Sequence, residues 1–212
     1  MKKITIMMLL AISFWLIATV ALADPMVFIV GGYESETSYL EDVHAAFPGS
    51  KIITPRKYVP IKSAAVVLLE EMKKEEWEVS QDVVFIAYSW SGLLVRQLVK
   101  DNPEIKARII LVGTPCRSYW FLPEFLFRIE DERKDVPIFV IAGTKSSEKW
   151  FLRDGEPNDG VVEVSSALSV KASAVAIFPL EHSDLLHSEE TIEQMKTWAT
   201  MPLPTVIAVL SR

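Results

Sequence analysis

The chain carries a single cysteine, Cys116, in 212 residues. One thiol cannot close a disulfide within the chain, so stability must come from a packed core even in an oxidising compartment. Imidazoles are scarce too: only His44, His182 and His187 are available to any chemistry that needs one. Basic residues are outnumbered, with 22 Lys and Arg against 28 Asp and Glu. No basic stripe is present to track a phosphate backbone, which argues against nucleic acid as a partner. Repeats, low-complexity tracts and Gly/Ser linkers are missing as well, so residues 24–212 read as one domain.

The first 23 residues stand apart. Lys2 and Lys3 precede an apolar run over 4–20, and Ala21-Leu22-Ala23 has the small-x-small pattern of a signal peptidase site. Residues 1–23 therefore read as a secretory signal peptide cleaved before Asp24, with export to the periplasm or the medium. The alternative is an uncleaved anchor, for which the run is marginal in length. Cleavage would leave roughly 190 residues, enough for a substantial core. At the other end, "TVIAVL" (205–210) is too short to span a membrane and is expected to pack on the body or pair as an edge.

Between these ends, short apolar runs alternate with segments of helical periodicity. Strands are expected at 26–30, 51–54, 83–87, 108–112, 137–142 and 174–178. Helices are expected at 35–47 with Ser35 or Thr37 as cap, at 61–77, at 91–100 and at 188–199. Wholly apolar strands are those buried on both faces. The β–α–β alternation predicts an α/β fold, a mostly parallel sheet with helices on both faces. Such sheets place ligands at the carboxyl ends of their strands, so the residues just after each strand are where chemistry should be sought.

Ser89 is one of these. "VVFIAYSWSG" passes from a buried strand into a helix within a few residues. A serine on so tight a turn has its hydroxyl thrust above the sheet, provided the positions two before and two after it are small. Those positions are Ala87 and Ser91, where the usual motif has glycines. Ser91 is the rival nucleophile, but Leu93 is too large for the matching position. A third account makes Ser89 a plain helix cap.

A serine hydroxyl attacks well only when a histidine takes its proton and a carboxylate orients that histidine. His44 lies in the first expected helix. His182 follows the 174–178 strand on a loop at its carboxyl end and is the preferred base, with His187 at the start of the last helix. The acid should come from "RDGEPNDGVVEVSSA", which holds Asp154 and Asp159, each in an Asp-Gly pair that could also be a simple turn. Asp159 is preferred, because a strand-like Val161-Val162 segment follows and can fix its backbone.

Taken together, "VVFIAYSWSG", "ILVGTPCRS", "NDGVVEVSSA" and "EHSDLLH" resemble the α/β-hydrolase lipases and esterases, particularly small bacterial lipases. The motifs occur in the order Ser, Asp, His and span most of residues 24–212. The resemblance implies a single-domain α/β-hydrolase fold and carboxylic ester hydrolysis by Ser89, His182 and Asp159, without a cofactor or metal. It also implies an oxyanion hole from the backbone N–H groups of Tyr33 and Trp90, with Gly31 where such lipases have histidine. Asp184 resembles a calcium ligand of larger lipases, although a helix N-cap is the simpler account.

The aromatic segment at 118–127 includes Tyr119, Trp120 and Phe121 and follows the Gly113-Thr114-Pro115 strand end. It reads either as an amphipathic helix over the core or as an apolar lid and acyl-binding wall. The expected partners are accordingly a small-molecule or lipid ester and a transient lipid interface. Acyl transfer or thioester cleavage would use the same residues. A catalytically silent hydrolase fold used for binding is the reading from a different class.

Overall fold

A computed structural model describes residues 24–32, 36–55, 60–117, 129, 133–145, 152 and 155–201. Six strands form one sheet: β1 (Met26–Val30), β2 (Lys51–Ile53), β3 (Val83–Tyr88), β4 (Ala107–Val112), β5 (Ile138–Gly143) and β6 (Ala174–Phe178). Their order is β2-β1-β3-β4-β5-β6, and every pairing is parallel. Strands β3, β4 and β5 are buried along their whole length, which is why their sequences are unbroken apolar runs rather than alternating ones.

Alternate residues of each strand feed two cores. Phe28, Phe85, Ile109 and Val140 point to one face, against α2 (Ile61–Lys74) and α3 (Ser91–Asp101) and the short α4 (Val164–Ala167). Ile29, Ile86, Ile110 and Ile141 point to the other, against α1 (Glu41–Ala46) and α5 (Glu189–Ala199). Helix α3 has no solvent face before its last turn, being buried from Ser91 to Val99. Arg108, buried on β4, donates through its guanidinium to the carbonyls of Ala199 and Met201. It thereby satisfies main-chain acceptors that the end of α5 leaves over. Burial pushes the Arg108 pKa down, and Asp82 opposes the shift.

Boundaries differ from the sequence expectation in instructive ways. The first helical segment is a 3-10 turn, Thr37–Leu40, running into α1, and its cap position is Glu36, with no side-chain cap. Ser35 lies outside the described residues. Helix α2 stops at Lys74 because the backbone turns at Glu76, which has φ +60°. Strand β3 extends one residue further than expected, to Tyr88. Residues 1–23 and 202–212 lie outside the described residues. Among the described residues no helix is long and apolar enough to cross a membrane.

The chain leaves β1 toward the β2 side on one face and leaves β3 toward β4 on the other. In open α/β sheets ligands bind at such a reversal of direction, which here falls at the carboxyl ends of β1 and β3.

Candidate active site

Ser89 stands at this reversal, directly after β3. Its N–H donates to the carbonyl of Val112 at 2.8 Å, which carries the β3–β4 ladder one step past Tyr88. The backbone then turns at once into α3, and Ser89 takes φ +56°. A left-handed backbone costs an L-residue of this kind about 1–2 kcal/mol, so a serine persists there only because its surroundings over-determine it. Ala87 is wholly buried between Val30 and Leu111, its register partners. Ser91 is wholly buried too. Its Oγ donates toward the carbonyls of Val30 at 2.7 Å and Tyr88 at 2.8 Å. The position that demands glycine is the next one: a Cβ on Gly92 would lie 2.3 Å from Thr114 Oγ1.

His182 and Asp159 meet in the loops after β6 and β5. His182 Nδ1 lies 2.7 Å from Asp159 Oδ2, and the His182 N–H donates to the Asp159 carbonyl at 2.8 Å. The Asp159 side chain is fully buried and that of His182 is 13 % exposed. Asp159 Oδ1 accepts from the N–H groups of Val161 at 2.9 Å and Val162 at 2.7 Å. A carboxylate only accepts, so Nδ1 is the donor and the lone pair is left on Nε2.

The strand-like Val161-Val162 segment expected from the sequence is instead a turn closed by a bridge between Asn158 and Glu163. Its N–H groups converge on the carboxylate because Gly160, at φ +95°, reverses the chain. Arg117, after β4, fastens the short helix α4 that follows this turn. Its guanidinium donates to Ser165 Oγ at 2.9 Å, and its N–H and carbonyl both bond Ser166 Oγ.

Two glycines and a tyrosine complete the geometry, and sequence reasoning assigned no role to them. Gly113 follows β4 in register beside Ser89, at φ +55°. A Cβ there would lie 2.8 Å from Cε1 and 2.9 Å from Nδ1 of His182, and 3.2 Å from Asp159 Oδ2. The imidazole thus occupies the space of the missing side chain, which brings it to the strand end next to the serine. Gly143 does the same at the end of β5, where a Cβ would lie 2.4 Å from the Leu180 carbonyl and 2.8 Å from Asp159 Cβ.

The Tyr88 ring packs on the His182 ring with centroids 4.8 Å apart, and its hydroxyl donates to the His182 carbonyl at 3.3 Å. Burial, then the negative charge of Asp159 and the neighbouring Tyr39, push the Tyr88 pKa up, so the phenol stays neutral. The available signal was a glycine at the carboxyl end of each of two buried strands.

The other expectations divide. Trp90 is at the N-cap of α3, where main-chain N–H groups gather at the positive end of the helix. Tyr33, Tyr119, Trp120, Phe121 and Asp154 lie outside the described residues. His44 bonds Ser50 Oγ at 2.8 Å and His187 bonds Asp42 at 2.7 Å, both away from Ser89 and Asp159. His187 closes the 3-10 turn Ser183–Leu186 rather than starting α5. Asp184 lies inside that turn and caps neither it nor α5, whose N-cap is Ser188. Among the described residues no group of three or more His, Cys, Asp or Glu could hold a metal ion.

A parallel sheet in this strand order, with a serine at a left-handed turn after β3 and an Asp–His pair in the loops after β5 and β6, defines the class: the chain has the α/β-hydrolase fold. Solved structures bear this out. The mature form of the Bacillus licheniformis lipase BlEst2 superposes with a TM-score of 0.66 at 15% identity, covering 84% of this chain and 93% of that one. A lipase-esterase related protein from Clostridium acetobutylicum gives 0.59 at 11%, covering 82% and 94%. A bromoperoxidase from Bacillus anthracis gives 0.55 at 13%, covering 83% and 92%. No protein-family model matches the chain, and no curated protein matches it by sequence. A fold shared by a lipase and a bromoperoxidase does not choose the chemistry; the site has to.

Proposed function

We propose that the protein is a serine hydrolase that cleaves carboxylic esters with an apolar acyl or alcohol part. The observation that carries this is the Asp159–His182 pair seated in the space left by Gly113, beside a serine held at φ +56°. In this reading Ser89 Oγ attacks the acyl carbon and its proton passes to His182 Nε2. Asp159 and the face of Tyr88 stabilise the imidazolium. The N–H groups of Trp90 and Tyr33 receive the oxyanion.

The alcohol then leaves with the proton from His182, and water, deprotonated by the same imidazole, hydrolyses the acyl-enzyme. No cofactor takes part. Tyr119, Trp120 and Phe121 line the apolar part of the substrate and make a transient contact with a lipid interface. Structural likeness to a protein described as a lipase agrees with this reading. Residues 1–23 direct export and are removed before Asp24, so N-terminal sequencing of exported protein should begin at Asp24; an intact Met1 there defeats that part.

The test is covalent labelling. A fluorophosphonate should modify the wild-type protein at Ser89, and Ser89→Ala should lose both labelling and hydrolysis of a short p-nitrophenyl ester. Labelling of wild type without ester turnover would favour transfer to another acceptor. Absence of labelling would leave a binding protein on a hydrolase fold.

A further inference from the structure

Ser91 has a placement that the reaction above does not use. It sits two residues after Ser89, where the strand-to-helix turn ordinarily carries glycine. Its side chain is wholly buried. The single hydroxyl proton faces two main-chain oxygens, that of Val30 at 2.7 Å and that of Tyr88 at 2.8 Å.

These two carbonyls are not arbitrary. Val30 is the last residue of β1, followed by the buried pair Gly31-Gly32. Tyr88 is the last residue of β3, followed by Ser89. One hydroxyl therefore ties together the carboxyl ends of β1 and β3, where the connections reverse direction. The Gly31 N–H is bonded on the other side, to the Ile53 carbonyl at 2.9 Å. Gly31 is thus held between β2 and Ser91 through its own N–H and the preceding carbonyl.

A glycine at position 91 would supply no donor to either carbonyl. Alanine would fill part of the same space and leave both carbonyls without that donor. A lost donor to buried carbonyls costs more than the bond itself is worth, so the strand ends would shift to find another partner.

We propose that Ser91 is a positioning residue: its hydroxyl sets the distance between the backbone that begins at Gly31 and the turn at Ser89-Trp90, and so aligns the N–H donors that meet the oxyanion. This rests on the reading of Ser89 as nucleophile. Removing an oxyanion donor outright costs about 10²–10³ in kcat, whereas a misaligned donor retains part of its effect.

The experiment compares wild type with Ser91→Ala, Ser91→Gly and Ser91→Thr. It measures kcat and KM on a short p-nitrophenyl ester, the affinity for a trifluoromethyl ketone that forms a tetrahedral adduct, and Tm. The expected result for Ser91→Ala and Ser91→Gly is a fall in kcat of about 10- to 100-fold, with KM within about threefold. The ketone affinity should fall by a similar factor, and Ser91→Thr, which keeps the hydroxyl, should recover most of both.

The proposal is overturned if Ser91→Ala keeps kcat and ketone affinity within about twofold of wild type, or if only Tm moves. Should threonine prove too large for the site, the ketone affinities of the two smaller variants decide. Failure of the nucleophile reading looks different: wild type would then go unlabelled by fluorophosphonate, or Ser89→Ala would remain active.

Discussion

The imidazole of His182 lies where a side chain on Gly113 would be. A Cβ on Gly113 would approach Cε1 to 2.8 Å and Nδ1 to 2.9 Å, closer than real Cβ atoms come. The relation is reciprocal, since the ring can reach the end of β4 only because nothing projects there. Gly113→Ala should therefore push the ring away and strain the backbone at φ +55°. Kcat on a short ester should fall by about 10²-fold or more, because misplacement by an ångström costs that much. The positive φ should lower stability by about 1–2 kcal/mol. A kcat within threefold of wild type would mean the ring does not depend on this space.

Asp159→Asn separates orientation from charge. Oδ1 already accepts two N–H groups, from Val161 and Val162. The amide must keep its oxygen there and turn its NH₂ toward His182. That group donates where the carboxylate accepted, which forces the imidazole proton onto Nε2, the nitrogen that receives the serine proton in the proposed reaction. Kcat should fall by roughly 10²–10⁴ with the fold retained, while Asp154→Asn should change it by less than about tenfold. Kinetics of the purified variants decide, and an inactive Asp154→Asn beside an active Asp159→Asn reverses the assignment.

Ser89 stores backbone strain. Ser89→Gly removes the left-handed penalty of about 1–2 kcal/mol and gives back about 0.5–1 in chain entropy. The variant should melt higher than wild type by about 1–4 °C and be inactive. Ser89→Ala should be equally inactive at an unchanged Tm. Calorimetry of the three proteins checks this; a Ser89→Gly no more stable than Ser89→Ala would show that the turn is relaxed.

Tyr88 supplies a pH dependence. Its folded pKa is raised above the ordinary value near 10.0, first by burial and then by the charge of Asp159. For a group raised in the folded state, the stabilisation is complete below the unfolded pKa and is lost as pH rises through the folded one. The wild type should therefore lose stability above about pH 10 faster than Tyr88→Phe does. Melting temperatures from pH 8 to 11 test this, and parallel curves for the two proteins would count against it.

By itself the sequence determined the strand–helix alternation, all six strands to within a residue at either end, and a short set of serine, histidine and acid candidates. Those features depend on local chemistry: β-branched runs, helical spacing, and turn residues whose backbone preferences act within a few positions. It could not rank Ser89 over Ser91 except by the size of neighbours, nor explain why Asp159 is held. The tertiary structure shows what surrounds each of them. Ser91 is buried with its hydroxyl on the carbonyls that end β1 and β3, and a turn rather than a strand aims two N–H groups at Asp159.

Gly113, Gly143 and Tyr88 gained their roles only when β4, β5 and β3 were brought against loops far away in the chain. A glycine code states that no side chain is present. Which distant ring or carbonyl needs the vacated space is settled by strand register and loop packing, and these follow from the simultaneous burial of both faces of the sheet.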